Sequence, residues 1–132
     1  MTCATSLITL LTLLSSTENN SNLVGLAGAC SFDFNKTQEH LMIVGTEEGA
    51  IHSYSNAYNS QYLRSFEGHH MGVYSVRWNQ YHPRVFLSCS ADWTVKLWEL
   101  NTPTPILTFD LNTSVGDIAW APFSSTVFAV IT

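Results

Sequence analysis

An all-β architecture of short four-stranded antiparallel sheets, repeated along the chain, is what this sequence predicts. Three observations lead there. The text repeats at an offset of 44 residues and then of 42, each copy is made of apolar runs of four to six residues separated by turn formers, and helical spacing is missing after residue 22. Periods of roughly 40 to 45 residues are the length of a propeller blade, and four short strands are what such a blade contains. The expectation is a partial β-propeller of about two and a half blades: a degenerate blade over 23–66, a complete one over 67–109, and a truncated third over 110–132.

The elements follow in order. Residues 1–22 form a leader of uncertain role, in which the apolar stretch Leu7 to Leu14 gives way to the polar linker SSTENNSN. That stretch is far short of the roughly 20 residues that span a bilayer and lacks the basic start of a secretory signal, so no membrane partner is expected. LMIVGTEEGAIHSYS (41–55) then aligns without a gap on VFLSCSADWTVKLWE (85–99), so that Ile43 falls on Leu87, Glu48 on Asp92 and Tyr54 on Trp98. Upstream, Phe32 and Phe34 fall on Val76 and Trp78. A third copy places Val115, Ile118, Trp120 and Val127 on Val73, Val76, Trp78 and Val85. VYSVRW, VFLSCS, TVKLW and ILTF read as the four strands of the middle copy, with YLRSF as the fourth strand of the one before. The chain ends at FAVIT, inside what the pattern makes the second strand of the third copy, which reads as a fragment of a larger propeller.

Composition narrows the function classes. Charged residues are 11% of the chain and the net charge is -5, so the surface offers no basic footprint for phosphate backbones and nucleic acid is not an expected partner. Cys3, Cys30 and Cys89 are widely spaced with no CxxC pair, which fits free thiols inside the cell better than a disulfide framework.

The segment from Glu67 to Leu100 resembles a WD40 repeat, with Gly68-His69 at its start, Trp78 ending the first strand, Asp92 in the corner and Trp98-Glu99 in place of Trp-Asp. The resemblance implies a structural hydrogen-bond relay through His69, Ser88, Asp92 and Trp98. A carboxylate in a tight turn needs donors, and an imidazole, a hydroxyl and an indole N–H can supply them in series. His69, Asp92 and Ser88 also have the residue types of a hydrolase triad, but a triad needs an exposed nucleophile and an oxyanion hole, whereas Trp98 would close this relay inside the sheet. No catalytic residue is therefore expected. No metal is expected either, because His69, His70 and His82 have no Cys or carboxylate at ligand spacing beside them. Only the middle copy has the full set: the first carries Glu48 and Tyr54 at the corner and Trp places, and the third has Leu111-Asn112 for Gly-His. Trp93 stands where WD40 blades prefer Gly. It either projects as an interface anchor or packs on the adjacent blade.

Between the consensus positions the text is more specific. WNQYH, SCSADWTVK, VGDIAWAPFSSTVF and VGTEEG resemble the propeller of axonemal dynein intermediate chains, the outer-arm members most of all, over about residues 23–132. That resemblance implies a non-catalytic scaffold without cofactors, in the axoneme of a cilium within the cytoplasm and its cytoskeleton. Its propeller would bind a dynein heavy chain, alongside other intermediate chains and light chains. Two other classes stand beside it: a generic WD40 adaptor that recognises peptide motifs in another complex, and, weakest, an enzyme built on a propeller.

Overall fold

The computed structural model describes residues 28–55 and 61–132; the leader and linker expected over 1–22 lie outside the described residues. Every regular element within them is a strand. β1 (Ala29–Phe34), β2 (Leu41–Thr46), β3 (Ala50–Ser55) and β4 (Gln61–Glu67) form one antiparallel sheet in chain order. A second sheet runs β5 (Val73–Trp78), β6 (Val85–Ser90), β7 (Thr94–Glu99) and β8 (Leu107–Asp110), and β9 (Asp117–Trp120) pairs with β10 (Phe128–Ile131). The fourth strand of the middle blade thus starts one residue later than ILTF suggests and includes Asp110.

The registers repeat with the sequence. Phe34 pairs with Met42 in the first sheet and Trp78 with Phe86 in the second, 44 residues on in both strands. Both first strands are interrupted at the same place, between Ala29 and Ser31 and between Val73 and Ser75, so Cys30 and Tyr74 sit on equivalent β-bulges. The bulge breaks the simple alternation read from VYSVRW: Ser75 is buried while Tyr74 is 52% exposed.

The sheets stack through their faces, and β1 lies against β5 and β5 against β9. From Ser75 onward alternation sends even-numbered side chains of the middle sheet to one side and odd-numbered ones to the other, while Val73, on the far side of the bulge, joins the even-numbered set. Val76, Trp78, Phe86 and Trp98 meet Ile43, Ile51 and Phe66 of the first blade, while Leu87, Cys89 and Val95 meet Val115 and Ile118 of the third. The middle blade is covered on both faces, the condition a blade cannot meet alone. Within the first core Phe86 stacks on Trp98 with centroids 6.1 Å apart, and Phe66 meets both rings edge-on at 5.1 and 5.7 Å.

Polar bonds repeat across the blade junctions as well. Asn35 Oδ1 accepts the backbone N–H groups of Thr37 and Gln38, both at 2.9 Å, and Asn79 Oδ1 accepts those of Tyr81 and His82 at 2.8 and 3.1 Å. Each loop is thereby closed by its own side chain. The amide nitrogens reach forward to the next blade, Asn35 Nδ2 to the Pro83 carbonyl at 2.5 Å and Asn79 Nδ2 to the Ser125 carbonyl at 2.8 Å. The indoles reach back: Trp78 Nε1 donates to the Asp33 carbonyl at 3.2 Å and Trp120 Nε1 to the Arg77 carbonyl at 3.1 Å.

Candidate functional site

The structure brings His69, Ser88, Asp92 and Trp98 together in the middle blade. The β4–β5 crossover supplies His69, β6 supplies Ser88, the β6–β7 turn supplies Asp92 and β7 supplies Trp98. Trp98 Nε1 donates to Ser88 Oγ at 2.8 Å, and Ser88 Oγ lies 2.6 Å from His69 Nε2. The other ring nitrogen, Nδ1, is 3.1 Å from Asp92 Oδ2. One assignment of protons satisfies every atom: indole N–H to hydroxyl, hydroxyl O–H to Nε2, and Nδ1–H to the carboxylate. The imidazole is then neutral.

Electrostatics agrees with that tautomer. Burial lowers the His69 pKa, outweighing the Asp92 carboxylate that would raise it. For Asp92 the balance runs the other way. Burial alone would raise its pKa, yet hydrogen bonds from the Thr94 side chain, the His70 backbone and the His69 ring, with the positive charge that His69 gains in acid, bring it down to about 2. The carboxylate stays ionised and its donors stay engaged.

Thr94 is the participant that the reading from sequence missed. Its hydroxyl donates to Asp92 Oδ1 at 2.6 Å and lies 3.2 Å from His69 Nδ1, while its backbone N–H also reaches Oδ1 at 3.0 Å. The signal was present as the Asp-x-Thr spacing of ADWT, an Asx arrangement that starts β7. Ser90 adds to the corner, donating from Oγ to the Met71 carbonyl at 2.9 Å.

Chemically the arrangement holds loops together. Ser88 is 0% exposed and its oxygen is already bonded on two sides, which leaves no approach for a carbonyl carbon. Among the described residues no group of three His, Cys, Asp or Glu side chains could hold a metal ion.

Trp93 lies outside the relay. It is 51% exposed, with φ at 66°, in the left-handed region that side chains with a Cβ rarely enter. Gly49, the equivalent residue of the first blade, has φ at 94° and no side chain to strain. The turn itself therefore explains why glycine is preferred here, and the side chain at 93 is held outward at a conformational cost. At Gly49 any side chain is also excluded, because a Cβ would lie 2.6 Å from the His69 carbonyl oxygen.

A family model described as WD domain, G-beta repeat matches residues 60–99, which contain all four relay residues. The chain is part of a WD40 propeller. Its likeness to solved propellers extends to the neighbouring blades: the β-propeller domain of Cps50 (Swd1) from Myceliophteria thermophila matches with a TM-score of 0.71 over 83% of this chain and 33% of that one, at 20% identity, a likeness of fold alone. In sequence this WD40 chain resembles axonemal dynein intermediate chains. It is 58% identical over 106 residues to dynein intermediate chain 2, ciliary, of Heliocidaris crassispina, covering 80% of this chain and 15% of that protein. To the 78 kDa intermediate chain of the flagellar outer arm of Chlamydomonas reinhardtii it is 46% identical over 119 residues, 87% of this chain and 17% of that one. Dynein axonemal intermediate chain 1 of Rattus norvegicus is 55% identical over 82 residues, 62% of this chain and 12% of that one. The WD40 chain thus spans 12% to 17% of the length of these relatives.

Proposed function

We propose that this chain belongs to a non-catalytic scaffold subunit of axonemal, outer-arm dynein, and that its propeller binds a dynein heavy chain in the axoneme of a cilium or flagellum. One observation carries the reading. The identity of 58% extends over 106 residues, well beyond the 60–99 repeat that any WD40 protein shares, and so includes residues that the fold does not demand. The relay through His69, Ser88, Asp92 and Trp98 serves in this reading to hold the blade's loops in place, and its burial supports a structural role over a chemical one. Blades over 23–66, 67–109 and 110–132 are the units of the scaffold. Light chains and other intermediate chains complete the complex, and the subunit works at the cytoskeleton without a cofactor.

The experiment is affinity purification from ciliated cells of the endogenous protein that carries this sequence. Recovery of dynein heavy and light chains, with no ATPase activity from the purified subunit by itself, is the expected result. Recovery with a ubiquitin ligase or trafficking complex in place of dynein subunits would replace this reading with that of a general WD40 adaptor.

A further inference from the structure

We propose that Thr104, in the β7–β8 loop, is a phosphorylation site for a proline-directed protein kinase, and that the Arg64 guanidinium of the preceding blade receives the phosphate. The inference does not depend on which complex the propeller joins. The loop, residues 100–106, carries two Thr-Pro dipeptides in succession, Thr102-Pro103 and Thr104-Pro105. Proline fixes its own φ and pushes the residue before it out of the helical region, so the stretch is held extended, the shape in which a kinase cleft takes a substrate segment. The ring after the acceptor, which has no N–H to satisfy, is the feature that a proline-directed kinase selects.

Exposure selects between the two threonines. Thr104 is exposed, and among the described residues its hydroxyl has no hydrogen-bond partner; Thr102 is half-buried, with its N–H on the Glu99 carbonyl at 3.0 Å. Pro103 is exposed as well. The loop is fixed at its two ends, by Leu100 N–H on the Arg84 carbonyl and Ile106 N–H on the Leu97 carbonyl, both at 2.8 Å. Thr104 stands between these anchors, on the kind of surface loop that another protein can grip.

The receiving charge lies across the blade junction. Arg64 of β4 donates from Nη1 to the Leu100 carbonyl at 2.9 Å, at the start of the same loop. Further along, a Cβ on Gly68 would lie 3.7 Å from Pro105 Cδ, so the chain from Arg64 to Gly68 runs beside the loop. Alternation turns Arg64 to the face of β4 that carries Phe66, which meets Phe86 and Trp98 of the middle blade. Glu67 lies on the other face with Ser65, where its charge acts on His52. Arg84, exposed in the β5–β6 loop, adds a second cation beside Leu100, and among the described residues neither arginine is in an ion pair. The flanking carboxylates, Glu99 and Asp110, are five and six residues from Thr104.

The reaction is a phosphoryl transfer from ATP. The bond from phosphorus to Thr104 Oγ forms as the bond to the ADP leaving group breaks, and the hydroxyl proton passes to the base of the kinase. The product adds about 1.5 to 2 negative charges and three strong acceptors to the loop. A guanidinium that now bonds a neutral carbonyl pairs better with that anion, so modification ties the loop more firmly to the preceding blade.

The test treats the protein that carries this sequence, purified whole from cells in its native state, with a proline-directed kinase and ATP, and locates phosphate by mass spectrometry. Phosphate is expected at Thr104, and is expected to be absent there in Thr104→Val, which keeps the shape of the side chain, and in Pro105→Ala, which keeps the acceptor. Arg64→Gln is expected to speed removal of that phosphate by a phosphatase about fivefold, the factor that ~1 kcal/mol of exposed ion pairing gives, while Arg64→Lys keeps most of the protection. No phosphate on the native protein, phosphate at Thr102 in place of Thr104, or modification only after unfolding would each overturn the site. Equal rates of removal from the parent and Arg64→Gln proteins would overturn the role of Arg64.

Discussion

Asp92 accepts hydrogen bonds from the His69 ring, the His70 backbone and both donors of Thr94, so its removal strands several groups at once. At about 1–3 kcal/mol for each donor left unsatisfied, Asp92→Ala is expected to destabilise the chain by about 3 kcal/mol. Glu48, its equivalent in the first blade, is exposed, and Glu48→Ala is expected to stay within about 0.5 kcal/mol. Hydrogen exchange of the β6 and β7 amides separates the two; equal loss of protection would mean that the relay does not hold the turn. Trp93→Gly should do the opposite and leave stability equal or raise it by up to about 1 kcal/mol, because the left-handed turn is relieved. A fall of more than that in a denaturant titration would show that the indole packs structurally. The same residues set a pH dependence. The folded pKa values of His69 and Asp92 both lie below their unfolded values, so the unfolded state binds more protons in both windows. The His69 contribution is full above about pH 6.5 and is lost as pH falls through the lowered folded value. That of Asp92, about 2 kcal/mol for a pKa brought down to about 2, is full above about pH 4 and is lost toward pH 2. The thermal midpoint should therefore be level only between about pH 7 and pH 8, decline in two steps below that range, and fall again in alkali, where the buried Cys89 thiol, raised to about 11, resists the ionisation that the unfolded chain undergoes; a rise on acidification would contradict the neutral imidazole.

At the level of the strands, the junction between blades depends on side chains that close a loop and cross to the neighbour. Asn79→Ala removes both functions and is expected to cost about 2 kcal/mol, with faster amide exchange in the β5–β6 and β9–β10 loops. Asn79→Asp keeps the Oδ1 acceptor for Tyr81 and His82 and loses the donor to the Ser125 carbonyl, so it should speed exchange in the β9–β10 loop alone. Exchange unaltered by either change would show that packing alone joins the blades. Most strands were legible because alternation and turn formers are local signals. Asn35 and Asn79, 44 residues apart, were not singled out from the sequence, because a loop asparagine carries no mark of where its amide points. The bulges at Cys30 and Tyr74 were not legible, since a two-residue period says nothing about where one residue is skipped.

Across the whole molecule, identical positions meet different surroundings. Phe66 is sealed by Phe86 and Trp98 of the next blade, whereas its counterpart Phe109 meets Phe128 at 5.6 Å and stays 37% exposed. Phe123 and Ile131 are 79% and 64% exposed, and among the described residues β10 pairs on one side only. An unpaired strand edge beside apolar side chains invites self-association. The 132-residue chain alone is expected to form concentration-dependent oligomers in sedimentation velocity, and Ile131→Lys, which puts a charge on that edge, to reduce them. A monomer that unfolds cooperatively at high concentration would show instead that these sheets are self-sufficient.

The sequence by itself determined the blade period and the strand pattern, because both are written in local spacing that recurs from copy to copy, and the residue types of the relay, which stand at their full spacing in the middle copy. It also carried the dynein-like phrases between the consensus positions. Tertiary structure alone decided which member of each repeated pair is covered: Trp78 is 2% exposed and its counterpart Phe34 is 48%. It likewise decided that Thr94 joins Asp92 to His69. The reason is that spacing places a side chain on a face of its own sheet, while burial, hydrogen-bond partners and field depend on what the neighbouring blade sets against that face.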